Sequence, residues 1–129
     1  MDNNIRILLV NCDELESVLN SLNYQQITKA KNGKEAIKEF VEEPFAITFV
    51  HELPSEEEHA LISSMLEINP QHYIVSLTDT VSPEKLKNFA QNGAKGILSK
   101  PFSAHKVKLE LDKFELIVGE ESDNERKAS

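Results

Sequence analysis

Polar side chains able to hold charge or form bonds gather in four places: Asn11, Cys12 and Asp13; His51 and Glu52, directly after Val50; Thr78 and Asp79; and Lys100. Each place follows a short apolar run. Glu52 and Glu57 together could seat a cation, because hard divalent ions take carboxylate oxygens. The Thr78 hydroxyl, the Lys100 ammonium and nearby backbone amides could hold a small anion. Cys12 near Lys100 could be a redox-sensitive thiolate. Each chemical reading has a plainer counterpart. Thr78 can satisfy a strand-end backbone group, Cys12 can be an inert buried thiol, and Lys100-Pro101 can simply shape a loop.

These groups meet only if the runs before them are neighbouring parallel strands. Residues 5–10 (IRILLV) and 45–50 (FAITFV) are near-continuous apolar stretches, as expected of strands buried on both faces. Residues 27–30, 73–77 and 97–98 complete a set of five. Helical spacing separates them: Leu15, Val18, Leu19 and Leu22, with Asp13 as N-cap or first-turn acid; Ala36, Ile37, Phe40 and Val41 after the Asn32-Gly33 turn; and Leu61, Met65 and Leu66. Ser55 and Glu58 read as a capping box, and the acidic run Glu56-Glu57-Glu58 suits a helix N-terminus. Ser82-Pro83 opens a helix that is expected to bury Leu86, Phe89 and Ala90 and to stop at Gly93. After Ser103, Val107, Leu111, Phe114 and Val118 mark a last helical face. Val107, Leu109 and Leu111 also alternate, but the β/α order and the Ser103 cap favour a helix. Such an order predicts an α/β fold, a five-stranded parallel sheet with helices on both faces. Functional groups then collect at the carboxyl edge of the sheet.

Bulk composition narrows the class. The chain's 129 residues make one domain, predicted over 1–118, followed by a flexible polar tail over 119–129. A net charge of −8 argues against a nucleic-acid surface. No apolar run reaches the roughly 20 residues of a membrane span, and residues 1–10 lack the pattern of a secretory leader. Cys12, the one cysteine, leaves no internal disulfide and fits a reducing cytoplasm. No Cys/His spacing resembles a zinc site.

Gly93-Ala94-Lys95-Gly96-Ile97-Leu98-Ser99-Lys100-Pro101-Phe102, with Ile74-Val75-Ser76-Leu77-Thr78, Lys31-Asn32-Gly33-Lys34-Glu35-Ala36 and Leu53-Pro54, stands in the order and spacing of the receiver domain of two-component response regulators. The chain resembles that family over roughly residues 4–118. The resemblance implies a flavodoxin-like (βα)5 fold and, in ordinary members, an aspartyl-phosphate site holding Mg²⁺. It also implies which residues stand where that site needs them. Counting back from Leu53-Pro54, the phosphoacceptor carboxylate falls on Val50, which has no nucleophilic atom. The acidic pair that holds the metal falls on Asn11 and Cys12, neither a good Mg²⁺ ligand. Thr78 and Lys100 keep their positions, and the switch aromatic falls on Ile97. The first helix is about one turn shorter than in the family.

The expectation is therefore a vestigial phosphorylation pocket of Asn11, Cys12, Val50, Thr78 and Lys100, supported by Glu52, Ile97 and Pro101, with no catalytic residue, no metal and Mg²⁺ binding lost. Lys100 is expected to contact Glu52, Asn11 or backbone carbonyls, since an unpaired, poorly solvated ammonium is costly, and Lys100-Pro101 is a candidate cis bond. The function expected is that of a signalling module acting on another signalling protein, or on itself as a homodimer. By resemblance its contacts lie on residues 83–92, 97–99 and 104–118, with Phe89, Ile97, Val107, Leu111 and Phe114 as apolar contacts. Two alternatives stay open: a phosphorelay receiver with another acceptor, such as His51, and a small-anion sensor.

Overall fold

The computed structural model describes residues 4–128, with side chains described for 4–117. Strands and helices alternate as β1 (Ile7–Val10), α1 (Leu15–Ser21), β2 (Ile27–Ala30), α2 (Gly33–Glu42), β3 (Ile47–His51), α3 (Ser55–Ile68), β4 (Tyr73–Thr78), α4 (Pro83–Asn92), β5 (Gly96–Ser99) and α5 (Ala104–Ala128). All neighbouring strands pair in parallel, in the order β2-β1-β3-β4-β5. This is the flavodoxin-like (βα)5 arrangement. The chain order reverses beside β1, so the carboxyl ends of β1 and β3 flank the crevice where such sheets place their sites.

Alternation along each strand divides the core into two layers. Ile7, Leu9, Phe49, Val75 and Leu77 face α1 and α5, meeting Leu15, Leu19, Val107, Leu111 and Phe114. Leu8, Val10, Val50 and Ile74 face α2 and α3, meeting Ala36, Phe40, Leu61, Ile62 and Met65. Val107, Leu111 and Phe114 are thus core residues, at 0, 2 and 7% exposure. That overturns their assignment to an interaction surface. Spacing of i, i+4 and i+7 puts them on the inner stripe of α5, and a buried stripe has no area left for a partner. The same spacing settles the ambiguity of residues 107–111 in favour of helix, with Leu109 turned outward.

Helix α4 departs from expectation in the opposite sense. None of its residues is buried: Leu86 and Ala90 are exposed and Phe89 is half-buried. Phe89 borders a cavity instead of closing a core layer.

Local signals explain most boundaries. Asn32 Oδ1 accepts from the Glu35 amide at 2.9 Å while Glu35 Oε1 accepts from the Lys31 amide at 3.1 Å, so the turn at Asn32-Gly33 is also a cap. Ser82 caps α4 ahead of Pro83, and Gly93 closes it at φ +90°. The capping box expected at Ser55 does not form. Pro54 holds the N-cap position, Ser55 is the first helical residue, and Glu58 reaches back to the Leu53 backbone instead. Asp13 is not a cap either, because α1 is entered through a turn in which the Leu15 and Glu16 amides bond to the Cys12 and Asp13 carbonyls. Residue 118 does not end α5, which continues to Ala128. Its Glu, Lys, Arg and Ala residues are sound helix formers and extend a helix already nucleated against the core. Whether the side chains of 119–129 form a flexible tail lies outside the described residues.

One buried polar pair ties the α2 side to the sheet. His72, 2% exposed, shares a 2.7 Å hydrogen bond between its Nε2 and Thr48 Oγ1, and its ring meets Phe40 edge-on. Burial, helped by nearby Lys95, depresses its pKa to about 4. A depressed histidine stabilises the fold above its unfolded pKa, and that contribution fades as pH falls toward the folded value, because the unfolded chain takes up the proton first. Urea unfolding should therefore show roughly 2 kcal/mol lost to this residue between pH 7 and pH 5. A His72→Gln variant, lacking the titrating ring, should show a loss smaller by about that amount.

Candidate functional site

The carboxyl edge of the sheet brings the strand-end residues together. Asn11 adopts φ 58°, a left-handed conformation that asparagine tolerates better than most residues. From there its Nδ2 donates to the His51 carbonyl at 2.9 Å, linking the ends of β1 and β3. Cys12 is fully buried, and its thiol donates to the Phe49 carbonyl at 3.4 Å. Burial, reinforced by Glu14, pushes the thiol far above its ordinary range, so it stays protonated and unreactive. The redox reading of Cys12 loses its chemical basis. Val50 is fully buried in the layer against α2 and α3.

Polar chemistry begins one residue later. His51 lies edge-on to Phe102, with Nε2 2.8 Å from Asp79 Oδ1 and Nδ1 3.7 Å from Glu14 Oε1. Asp79 Oδ1 also receives the Lys100 ammonium at 3.2 Å. The His51 hydrogen bond and then Lys100 hold the Asp79 carboxyl below the usual carboxylate range. Lys100 thus finds neither Glu52 nor Asn11, and its side chain is 53% exposed. The expected desolvation problem does not arise, because the ammonium reaches water.

Glu52, at φ 26°, forms the other half of the edge. Its Oε1 receives Lys85 Nζ at 2.6 Å, Thr78 Oγ1 at 2.6 Å and the Asp79 amide at 3.2 Å. Lys85 also donates to Thr78 Oγ1 at 2.9 Å. Thr78 has one proton and two acceptors in reach, Glu52 and, at 2.8 Å, the Thr80 carbonyl; the charged acceptor is the stronger. Lys85, then Thr78, lower the Glu52 pKa. Three elements meet at one carboxylate: the β3–α3 loop, the end of β4 and the first turn of α4.

The expected pocket is therefore only partly assembled. Thr78 and Lys100 are near one another, the Lys100 amide donating to the Thr78 carbonyl at 3.1 Å. The one Thr78 hydroxyl proton goes to Glu52, however, and the Lys100 charge is paired with Asp79, which works against the small-anion reading. Glu52 and Glu57 are not paired, since Glu57 Oε2 accepts the Gly33 amide at 2.8 Å on the α2 side. His51, Glu52 and Asp79 do offer ligand atoms within 4.8 Å of one another. Both carboxylates hold lysine ammoniums, though, and the positions that the resemblance assigns to the Mg²⁺ seat carry an amide, a thiol and an isopropyl group. Of these only the amide offers an oxygen, a neutral one, where a hard octahedral cation takes several. Ile97 and Phe89 are half-buried on the wall of a cavity of about 450 Å³ by α3, α4 and the end of the sheet, which Glu52, Thr78 and Lys85 also line.

Sequence reasoning missed Lys85 and the pairing role of Asp79. A signal for Lys85 did exist. Ser82 as N-cap makes Lys85 the third residue of the helix, and helical side chains lean toward the N-terminus, here toward the sheet edge.

Five parallel strands with their polar groups gathered at the carboxyl edge define a doubly wound α/β domain. Family comparison is specific: the response regulator receiver domain matches residues 9–112, and the chain belongs to that family. Solved structures agree on the fold. The chemotaxis protein CheY4 of Vibrio cholerae is similar at 21% identity and TM-score 0.76, covering 86% of this chain and 98% of that one. A two-component response regulator from Clostridium difficile gives 20% and 0.75 over 86% and 95%. A CheY-like receiver domain protein from Methanospirillum hungatei JF-1 gives 23% and 0.71 over 87% and 97%. Comparison with curated proteins finds no match.

Because Lys85 is the side chain that joins α4 to Glu52 and Thr78, Lys85→Met should loosen that helix alone. Hydrogen exchange of residues 83–92 should speed up by about five- to tenfold, as expected for losing a charge-assisted bond. Lys87→Met, at an exposed position on the same helix, should leave exchange unchanged.

Proposed function

We propose that this receiver domain takes no phosphoryl group and signals through contacts with another signalling protein or with a second copy of itself. The observation that carries this reading is Val50, wholly buried and aliphatic, at the position where receivers place the acceptor carboxylate. Asn11 and Cys12 support the loss of Mg²⁺ binding that goes with it. No catalytic group is assigned.

Glu52 suggests how the domain can do without the modification. In a phosphorylated receiver, hydroxyl and lysine groups gather around an acquired anion. Here Thr78 and Lys85 gather around an anion that is part of the chain. A permanent charge in that place favours one fixed arrangement of α4, leaving regulation to partner binding. His51 is a poor substitute acceptor, because Nε2 is engaged by Asp79 and Nδ1 faces the Glu14 carboxylate at 3.7 Å, so each ring nitrogen meets an anion that would repel a phosphoryl group.

The contact surface has to be redrawn from the one the resemblance suggested. Val107, Leu111 and Phe114 serve the core, while Leu86 of α4 and Leu109 and Leu116 of α5 are 45, 50 and 64% exposed. Leu109 and Leu116 lie seven residues apart, two turns along the outer face of one helix. Together with the half-buried Phe89 and Ile97 they supply apolar contacts on the α4–β5–α5 side. The acidic balance of the chain speaks against nucleic acid as the partner. The free, buried Cys12 is compatible with a cytoplasmic setting. Among the described residues no helix is long and apolar enough to cross a membrane.

Incubation with acetyl phosphate and Mg²⁺ should leave the intact mass unchanged; a stable gain of one phosphoryl group would overturn the reading. For the surface, Leu109→Asp with Leu116→Asp should abolish self-association or capture of the partner at an unchanged melting temperature. Phe114→Ala, by contrast, should cost about 3 kcal/mol or more in stability.

A further inference from the structure

The cavity behind Glu52 is more than a packing defect. Its volume of about 450 Å³ lies within the roughly 300–1,000 Å³ of small-molecule pockets. Its lining includes the apolar Leu53, Phe89 and Ile97 and the polar Glu58, Ser76 and Asn88. A second depression of about 260 Å³ shares Ser55, Glu58 and Asn88 and runs on between α3 and α4 toward His59. Glu58 therefore stands at the junction of the two. Helix α4, which forms one wall, buries no residue of its own, so the space between it and α3 is not closed by protein.

Charge decides what this space would accept. Of the charged groups on its walls, Lys85 and Glu52 satisfy each other. Glu58 takes a backbone hydrogen bond from Leu53 and, among the described residues, forms no ion pair. Burial raises its pKa and Glu52 adds to the rise, against the Leu53 hydrogen bond, His51 and Lys85. A half-buried carboxylate whose neighbours Lys85 and His51 are already engaged by Glu52 and Asp79, beside apolar side chains, is complementary to an ammonium on an apolar body. We propose that the α3–α4 cavity is a binding site for a small primary amine with an aromatic-sized apolar group, the ammonium on Glu58 and the apolar group against Phe89 and Ile97. Such a ligand would brace α4 from beneath, next to the Lys85–Glu52 contact. The cavity adjoins the vestigial phosphorylation pocket, sharing Thr78, Glu52 and Ile97 with it, but the amine would rest on Glu58, so the reading stands whether or not the domain can be phosphorylated.

Tryptamine is a suitable probe, with indole-3-propionate as its anionic counterpart. At about 5 mM, tryptamine should raise the melting temperature by about 2 °C and shift the amide resonances of Glu58, Asn88 and Phe89, while the anion does neither. Glu58→Gln should weaken tryptamine binding by about fivefold or more, and Ile97→Trp, which fills the cavity, should abolish it. Should Ile97→Trp fail to fold, Glu58→Gln, which keeps the side chain's shape, still decides the matter. The proposal is overturned if tryptamine leaves those resonances in place, if the anion binds equally well, or if Glu58→Gln binds tryptamine as the parent does.

Discussion

A single carboxylate at the carboxyl edge of the sheet orders much of what surrounds it. Glu52 draws the Lys85 ammonium, the Thr78 hydroxyl and the Asp79 amide onto one oxygen. Without that negative charge, Lys85 would have no reason to lean across from α4, and the start of that helix would be held mainly by its cap. The bonds are charge-assisted and partly screened from solvent, which places them above ordinary surface pairs in strength. Beside them, His51 and Lys100 converge on Asp79 in the same manner. Two acids and their donors thus fill the crevice in which the family's chemistry is usually done.

That arrangement depends on the sheet beneath it. Val50 continues the apolar layer facing α2 and α3 right up to the last residues of β3, so the polar groups begin only at His51. A carboxylate at Val50 would sit at the boundary between core and crevice, where a bound cation could neutralise it. An isopropyl group needs no such help and packs instead. Cys12 and Val50 thus carry the core up to the rim of the crevice, and Asn11 stands exposed beside them. Cys12 shows this most plainly, buried and held to the Phe49 carbonyl where a metal ligand would have to face outward.

Helix α4 is the least committed part of the fold. Every other helix with described side chains puts buried residues into a core layer, whereas α4 is held by its cap, by Lys85 and by the half-buried Phe89. Elements with few buried contacts open at low free-energy cost, and switching regions are drawn from such elements. The cavity between α3 and α4 is the spatial expression of that weakness. It also explains why contact and ligand readings converge on the same side of the molecule.

Much of the architecture was legible in the sequence because burial periodicity is a local property. The aliphatic runs at 5–10 and 45–50, the Ser82-Pro83 opening, the Gly93 stop and the strand-end positions of Thr78 and Lys100 required no knowledge of distant partners. Partner choice did. Lys100 pairs with Asp79 and not Glu52, which is occupied by the Lys85 ammonium from a helix 33 positions further along the chain. Val107, Leu111 and Phe114 look the same in sequence whether their stripe meets a sheet or a partner, and only the path of α5 across β4 and β5 made them core. Ser55 and Asp13 had the chemistry of caps, yet the backbone entered their helices through Pro54 and through a turn. Spacing along the chain determined which residues stand at the crevice. Only the tertiary structure decided which charges meet there, because electrostatic pairing depends on distances through space that no sequence interval encodes.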